Sequence, residues 1–230
     1  MFRRLLWKEW REGFWKVEFG LTVSLAFTVL LFRVRLFPDL GNAALISLVQ
    51  VFGIPLIFCL DLFAGEMSHG TIHLLFKIPV PRWQVFASKM LMGLFQVVLI
   101  FVSTGVVMEL MGHGREAGVG MLFRMNALCG LCSVLLFIWF SVFAAQSRSE
   151  AGSLAALFAV IIGWAIVWLW SGLCEVSWAY YAVPYVVGQW ALQAKMEGFR
   201  LGQLLISQGM LAVLVLSLAG YRYVKIRRSL

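Results

Sequence analysis

Two groups of residues in this sequence are of types that can bind a metal ion. Cys129 and Cys132 form a Cys-x-x-Cys pair, a spacing typical of zinc sites, which need further ligands. Met108, Met111 and His113 offer thioether and imidazole groups, which suit copper. No second cysteine pair and no nearby histidine completes the first group, and both cysteine and methionine also serve as ordinary buried apolar residues. The sequence favours packing for both groups and keeps copper binding by the second as an alternative.

The sequence contains no set of residues typical of a catalytic site. The sequence contains no GxxxxGK[ST] phosphate loop and no Ser-His-Asp set with useful spacing. The carboxylates Asp61, Glu109 and Glu175 lie near the ends of apolar runs, whereas an ion-driven carrier needs ionisable groups or broken helices near the middle of the membrane. Gln50 and Gln96 are polar exceptions inside the runs. We therefore expect no catalytic residue and no cofactor bound by this chain.

The longest polar break in the chain runs from Gly65 to Lys89 and reads GEMSHGTIHLLFKIPVPRWQVFASK. Pro79 and Pro81 end its short amphipathic piece, because proline lacks the amide donor and disfavours helix in the residue before it. Arg82 and Lys89 then suit the start of the following membrane span. The residues alone leave two interpretations: a solvated connection, or a surface that docks a partner.

The composition places these residues in a membrane protein. The chain has 230 residues, of which 62% are hydrophobic and 13% charged, and its mean hydropathy is +0.90. Soluble domains have about 45–50% apolar and about 25% charged residues. The net charge of +8 comes from Lys and Arg at the chain ends and between apolar runs, which fits membrane orientation better than nucleic-acid binding.

The apolar runs predict an all-α, polytopic fold in one transmembrane domain over residues 1–230. A membrane-spanning helix needs about 20 residues. Six runs fit this length, and the predicted spans are 17–37, 41–63, 90–111, 122–145, 151–174 and 201–221. The aromatic segment 175–200 is broken by Pro184 and is predicted to form interfacial or re-entrant helices on the outer face.

Residues 1–16 are predicted to form an amphipathic helix in the headgroup layer. Trp7, Trp10 and Trp15 alternate with basic residues such as Arg11, a pattern typical of interfacial helices. The alternative is a basic flank that only orients the first span. With the N-terminus in the cytoplasm, most of the nineteen Lys and Arg residues lie on that side, so the positive-inside rule predicts cytoplasmic termini and a basic cytoplasmic tail at 222–230.

Small residues form a stripe in the fifth predicted span. Ala155, Ala159 and Gly163 recur at every fourth position, and such residues let two membrane helices approach closely. The stripe is either a packing face within the subunit or a contact with a second subunit.

The polar break also resembles a known family. Its pattern resembles the signature region of ABC-2 type transporter permeases and consists of Gly65-Glu66, Gly70-Thr71, Leu74-Leu75, Pro79, Arg82 and Lys89. The opening Leu6-Trp7-Lys8-Glu9-Trp10-Arg11-Glu12 is similar to the amphipathic start of many such permeases. The resemblance covers the layout of the whole chain and implies a transmembrane domain like that of type V ABC exporters.

The resemblance implies a function and partners. In such permeases the segment after the second span is a coupling helix seated in a groove of a separate ATPase. The residues that would transmit nucleotide-driven closure here are Glu66, Gly70, Thr71, Pro79, Arg82 and Lys89. ATP and Mg would be held by that cytoplasmic ABC ATPase, and a second copy or a related permease would complete an exporter in the inner membrane.

Other interpretations stay open. The compact length is also similar to that of the haem-exporter B subunit of cytochrome c maturation. A membrane scaffold or assembly factor, for example in haem or metal-centre maturation, would use the polar break only to dock a cytoplasmic partner. The apolar spans favour an apolar or amphipathic cargo without identifying it.

Overall fold

The computed structural model describes residues 2–34, 37–59, 81–112, 120–146, 150–173, 209, 210, 212–214, 216–218, 220 and 221. Five helices cover most of this part: α1 (Phe2–Val34), α2 (Asp39–Cys59), α3 (Arg82–Gly112), α4 (Met121–Gln146) and α5 (Glu150–Leu173). The described residues between 209 and 221 are helical as well, and no strand occurs among the described residues. The predicted all-α class is confirmed.

Four helices are long and apolar enough to cross a membrane. They are α1, α2, α3 and the Met121–Val142 part of α4. Apolar segments in lipid form helices because only a helix pairs every backbone amide and carbonyl within one segment. The fifth predicted span coincides with α5, and the sixth is described only in part. Four of the six predicted spans are therefore supported, and the total of six stays a prediction.

Helix α1 continues without a break through the predicted boundary between 1–16 and 17–37. Its 33 residues correspond to about 50 Å of helix, whereas the hydrocarbon core is about 30 Å thick. Helix α3 likewise begins at Arg82, before the predicted start of the third span at residue 90. The amide of Gln84 donates to the carbonyl of Pro81 at 2.9 Å and closes the first turn. Both helices are thus longer than the hydrocarbon core requires.

Side-chain contacts give the direction of each helix. Glu9 meets Lys89, Gly20 faces Ile100 and Phe32 lies near Gly112, so α1 and α3 run parallel along their whole length. Helices α2 and α4 also run parallel, as the contacts Ser47–Asn126 and Cys59–Ser141 show. The contacts Gly112–Leu122 and Gly130–Phe101 make α3 antiparallel to α4, and therefore also to α2. We call the end where α1 and α3 begin and α2 ends the proximal end.

The four helices enclose an apolar core and expose apolar residues outward. The largest fully buried side chains include Phe32, Ile46, Ile100, Met108, Leu122, Phe137 and Phe140. Large apolar side chains such as Leu48 and Val102 are exposed on the outer surface. A surface this apolar suits contact with lipid tails rather than water.

Glu109 of α3 is hydrogen-bonded to the start of α4. Its carboxylate accepts hydrogen bonds from the backbone amides of Gly120 and Phe123, the latter at 3.2 Å. These amides belong to the start of α4, where the helix leaves donors unpaired and where a negative charge is favoured. Gly120 has φ of 79°, a conformation that glycine adopts most readily. The carboxylate thereby fixes the distal end of α3 to the start of α4.

Candidate functional site

A buried ion pair joins α1 and α3 at the proximal end. The Lys89 ammonium donates to Glu9 Oε2 at 3.1 Å. The side chains are only 2% and 8% exposed, respectively. Buried charges persist when they are paired, because an unpaired charge there costs several kcal/mol. The pair therefore fixes the start of α3 to the first turns of α1.

A short series of charges leads from this pair to the surface. The second oxygen of Glu9, Oε1, lies 3.7 Å from the Lys8 ammonium, which lies 3.2 Å from Glu12 Oε2. Lys8 and Glu12 are substantially exposed. The charges of α1 thus continue from the buried contact with α3 to the surface of the same helix.

The face of α1 that packs against α3 is not purely apolar. Leu5, Glu9, Gly13 and Val17 are buried at every fourth position. Gly13 permits this close packing, because a methyl group there would overlap the amide of the buried Gln96. Glu9 was not among the residues singled out in the sequence, where residues 1–16 were interpreted only as an interfacial helix. The spacing of four from Glu9 to Gly13 and Val17 was the available signal.

Only part of the predicted coupling segment belongs to the described structure. Glu66, Gly70, Thr71 and Pro79 lie outside the described residues. Arg82 is the first residue of α3 and is half-buried, and Lys89 forms the pair with Glu9. The helix ends at Cys59 and Arg82 that flank residues 60–80 are both at the proximal end. The role of these residues in coupling stays a prediction.

The aromatic residues predicted for the membrane interface take different positions. Trp7 and Trp15 are well exposed, as is Arg11. Trp10 is half-buried and packs edge-on against Phe95 of α3, with ring centroids 5.9 Å apart. The first turns of α1 therefore present tryptophans outward while Trp10 packs against α3.

A second group of polar residues lies inside the bundle, and we call it the polar seam: Ser47, Gln50, Thr104 and Asn126. Gln50 Nε2 donates to Thr104 Oγ1 at 3.1 Å, and Ser47 Oγ donates to Asn126 Oδ1 at 3.2 Å. Asn126 Nδ2 donates in turn to the carbonyl of Phe101 at 2.6 Å. Hydrogen bonds between membrane helices stabilise their packing. The seam joins α2, α3 and α4, and of its members only Gln50 stood out in the sequence.

The residues considered for metal binding pack in the core where they are described. Met108 is fully buried and Met111 packs against the core, while His113 lies outside the described residues. Cys129 and Cys132 are buried free thiols. Among the described residues no group of three or more His, Cys, Asp or Glu side chains could hold a metal ion.

The small-residue stripe of α5 is open to the outside. Ala155 and Ala159 are exposed, and a methyl group on the half-buried Gly163 would meet nothing within 4 Å. Helix α5 packs on α4, yet the described part of the chain does not cover this stripe.

A comparison with protein families assigns most of this chain to a known family. The family described as ABC-2 family transporter protein matches residues 41–221. The chain belongs to the ABC-2 transporter family. The matched range includes Lys89 but begins after Glu9, so one half of the buried ion pair lies outside it. Comparison with curated proteins gives no match.

Family membership fixes the broad role of the chain. ABC-2 permeases are membrane transport components without an ATPase site of their own. The apolar helices agree with a multi-pass membrane protein. The predicted resemblance to ABC-2 permeases is confirmed over most of the chain.

Proposed function

We propose that this ABC-2 protein is the permease subunit of an ATP-driven exporter in the inner membrane. It moves its substrate by alternating access, and its two termini lie in the cytoplasm. A separate cytoplasmic ABC ATPase binds ATP and Mg²⁺ and hydrolyses the nucleotide. The observation that carries this proposal is the buried ion pair between Glu9 and Lys89, because it joins two helices next to the predicted docking segment.

The pair supports a route for mechanical coupling. Lys89 lies two turns into α3, the helix that directly follows the segment containing Glu66, Gly70, Thr71 and Pro79. When the ATPase moves that segment, the start of α3 moves with it. Separating Lys89 from Glu9 would break a buried ion pair, at a cost of several kcal/mol. Helix α1 therefore follows α3 as one unit, which turns a local displacement into a tilt of two spans.

The outer surface supports assembly from two permease subunits. Ala155 and Ala159 lie exposed on α5, and the half-buried Gly163 has open space beside it, so these small residues permit close approach of a second helix. A second copy or a related permease would cover this stripe. The substrate path would then lie between subunits, and the apolar helix surfaces favour an apolar or amphipathic substrate.

Transport by the reconstituted complex tests the proposal. The chain is purified with the ABC ATPase from its source membrane and placed in vesicles, and ATP hydrolysis and efflux of fluorescent amphiphiles are measured. We expect Glu66→Ala and Arg82→Ala to reduce the stimulation of ATP hydrolysis and the efflux together. A chain that purifies without an ATPase, or variants that leave both activities intact, would show the proposal to be wrong.

A stability-matched variant tests the role of the ion pair. Glu9→Leu with Lys89→Met removes both charges and keeps side-chain volume, so the fold is retained while the attraction is lost. We expect ATP hydrolysis to become partly uncoupled from efflux. Glu12→Gln removes the exposed carboxylate beside Lys8 and serves as the control. If the unaltered chain binds the ATPase but the complex shows no efflux, the chain is a membrane scaffold rather than a permease.

A further inference from the structure

An open groove lies between the first turns of α1 and the first half of α3. Its volume is about 1070 Å³. Two arginines, Arg3 and Arg4, line it together with apolar residues that include Trp7, Trp10, Leu91 and Phe95. It opens onto the outer surface of the bundle. It lies on the outer faces of the same two helices that the Glu9–Lys89 pair joins from within.

The groove is basic at one end and apolar at the other. The contacts Glu9–Lys89 and Gly20–Ile100 set α1 and α3 in parallel register. Arg3 and Arg4 therefore lie level with the first turn of α3, whereas Phe95 lies about 17 Å farther along the helices, at about 1.5 Å per residue. This distance is close to half of the ~30 Å hydrocarbon core. The groove is thus about as long as one leaflet is thick, with its charges at the proximal end.

The walls present apolar surface that the described part of the bundle leaves uncovered. Trp7 is 66% exposed, and Leu91 and Phe95 are 51% and 53% exposed. Tryptophan is enriched at the level of lipid headgroups. Arginine offers several donors in a fork that matches phosphate geometry. The groove therefore combines donors for a phosphate with a surface for a hydrocarbon chain.

A second groove on the same bundle has a different character. It lies between α3 and α4, has a volume of about 380 Å³, and is lined by apolar residues and Asn126. The Asn126 amide already donates to the carbonyl of Phe101. No charged residue lines this groove, so it suits any lipid tail. Only the larger groove of the two carries charges that select an anion.

We propose that the larger groove is a specific binding site for one anionic phospholipid. The lipid phosphate is bound by Arg3 and Arg4 at the proximal end. An acyl chain lies along Trp10, Leu91 and Phe95. This lipid bridges α1 and α3 from outside, as the Glu9–Lys89 pair bridges them from within. The site is independent of what the protein transports.

Native mass spectrometry of the purified full chain in detergent tests this site. The protein is titrated with phosphatidylglycerol and, separately, with phosphatidylcholine of the same chains. We expect one tightly bound phosphatidylglycerol and no comparable phosphatidylcholine. Arg3→Gln with Arg4→Gln should weaken phosphatidylglycerol binding about 30-fold, since each basic residue near an anionic lipid surface contributes about 1 kcal/mol.

A matched double variant distinguishes binding in the groove from a general effect of positive charge. Arg33→Gln with Arg124→Gln removes two exposed arginines at the opposite end of the bundle and should leave phosphatidylglycerol binding unchanged. Equal losses in both double variants, or equal binding of the two lipids by the unaltered protein, would overturn the proposal.

The apolar half of the site is tested separately. Leu91→Trp fills the groove from an exposed position, so the fold tolerates it. We expect binding of phosphatidylglycerol to fall about fivefold as one or two methylene groups lose their contact, while soluble glycerol phosphate should not compete in the unaltered protein. Full binding by Leu91→Trp, or competition by glycerol phosphate, would show that the groove does not hold an acyl chain.

Discussion

Lys89 and Glu9 are 80 positions apart in the chain and 3.1 Å apart in the structure, at the buried contact of two parallel helices. Attraction between two charges strengthens as water is excluded, but so does the penalty of burying each of them. Such a pair adds little to stability over an apolar contact of the same volume, yet breaking it is costly. Its value here is that it fixes α1 and α3 in one register.

The first prediction concerns the two single substitutions in this pair. Glu9→Gln or Lys89→Met breaks the buried ion pair by removing one of its two charges, and each should lower the free energy of unfolding by about 3–5 kcal/mol. Glu9→Leu with Lys89→Met should recover most of that loss. Unfolding in mixed micelles, followed by circular dichroism, measures these changes.

The exposed pair on the same helix is the control. Glu12→Gln or Glu12→Ala should cost less than about 1 kcal/mol, since exposed ion pairs are screened by solvent. Single losses at Glu9 and Lys89 as small as these would show that the buried pair does not fix the register.

The second prediction concerns the closest approach of α1 to α3. A methyl group at Gly13 would overlap the Gln96 amide, so Gly13→Ala should destabilise the bundle by about 1–3 kcal/mol despite its better helix propensity. Adding Gln96→Ser should relieve the overlap. A double-mutant cycle in mixed micelles measures this coupling.

Glycine at position 53 provides the control for the second prediction. A methyl group there would meet nothing within 4 Å, so Gly53→Ala should be neutral or should stabilise α2 by up to about 1 kcal/mol. Equal effects of Gly13→Ala and Gly53→Ala would mean that α1 and α3 are not in close contact at Gly13.

The spans were predictable because apolar runs of membrane length have few alternatives to the helix in lipid. The predicted 122–145 and the observed Met121–Gln146 differ by one residue at each end. Helix α1 continues through the predicted boundary after residue 16, because the charges of the first turns change the polarity of α1 without ending the helix. Hydropathy therefore predicted where the helices lie, but it did not show that α1 continues through a change in polarity.

The candidate site was much less predictable than the spans. Lys89 was selected for its place after the polar break, but its partner Glu9 is recognisable only once α1 and α3 are packed side by side. Gln50 stood out in an apolar run, whereas its partner Thr104 is small and common in membrane helices. Glu9 and Thr104 acquire their roles only when they pair with a residue of another helix. The sequence pattern of a single helix does not show which residues will pair.

The third prediction concerns the polar seam. Thr104→Val removes the acceptor of the Gln50 amide, and Gln50→Leu removes the donor. The coupling between these two substitutions should be about 0.6 kcal/mol and at most about 1.7 kcal/mol, as for other hydrogen bonds between membrane helices. Unfolding of the four proteins of the cycle in mixed micelles measures it.

Ser133 is the matched control for the seam. Its hydroxyl is buried without a hydrogen-bond partner among the described residues, so Ser133→Ala should be neutral or stabilising, because no bond is lost. A coupling of zero between Gln50 and Thr104, or a clear loss with Ser133→Ala, would contradict this assignment of partners.

The fourth prediction concerns the turn at the distal end. Glu109→Ala removes the acceptor for the amides of Gly120 and Phe123, and it should cost about 0.5–2 kcal/mol, as the loss of other helix caps does. Glu109→Gln keeps an acceptor oxygen but loses the charge that favours the start of α4, so about 0.3–1 kcal/mol is expected. Hydrogen exchange at Phe123 localises the effect, and its amide should lose protection in Glu109→Ala. Glu18→Ala removes an exposed carboxylate of α1 and should change neither quantity. If Phe123 stays protected in Glu109→Ala, the start of α4 is held by another group.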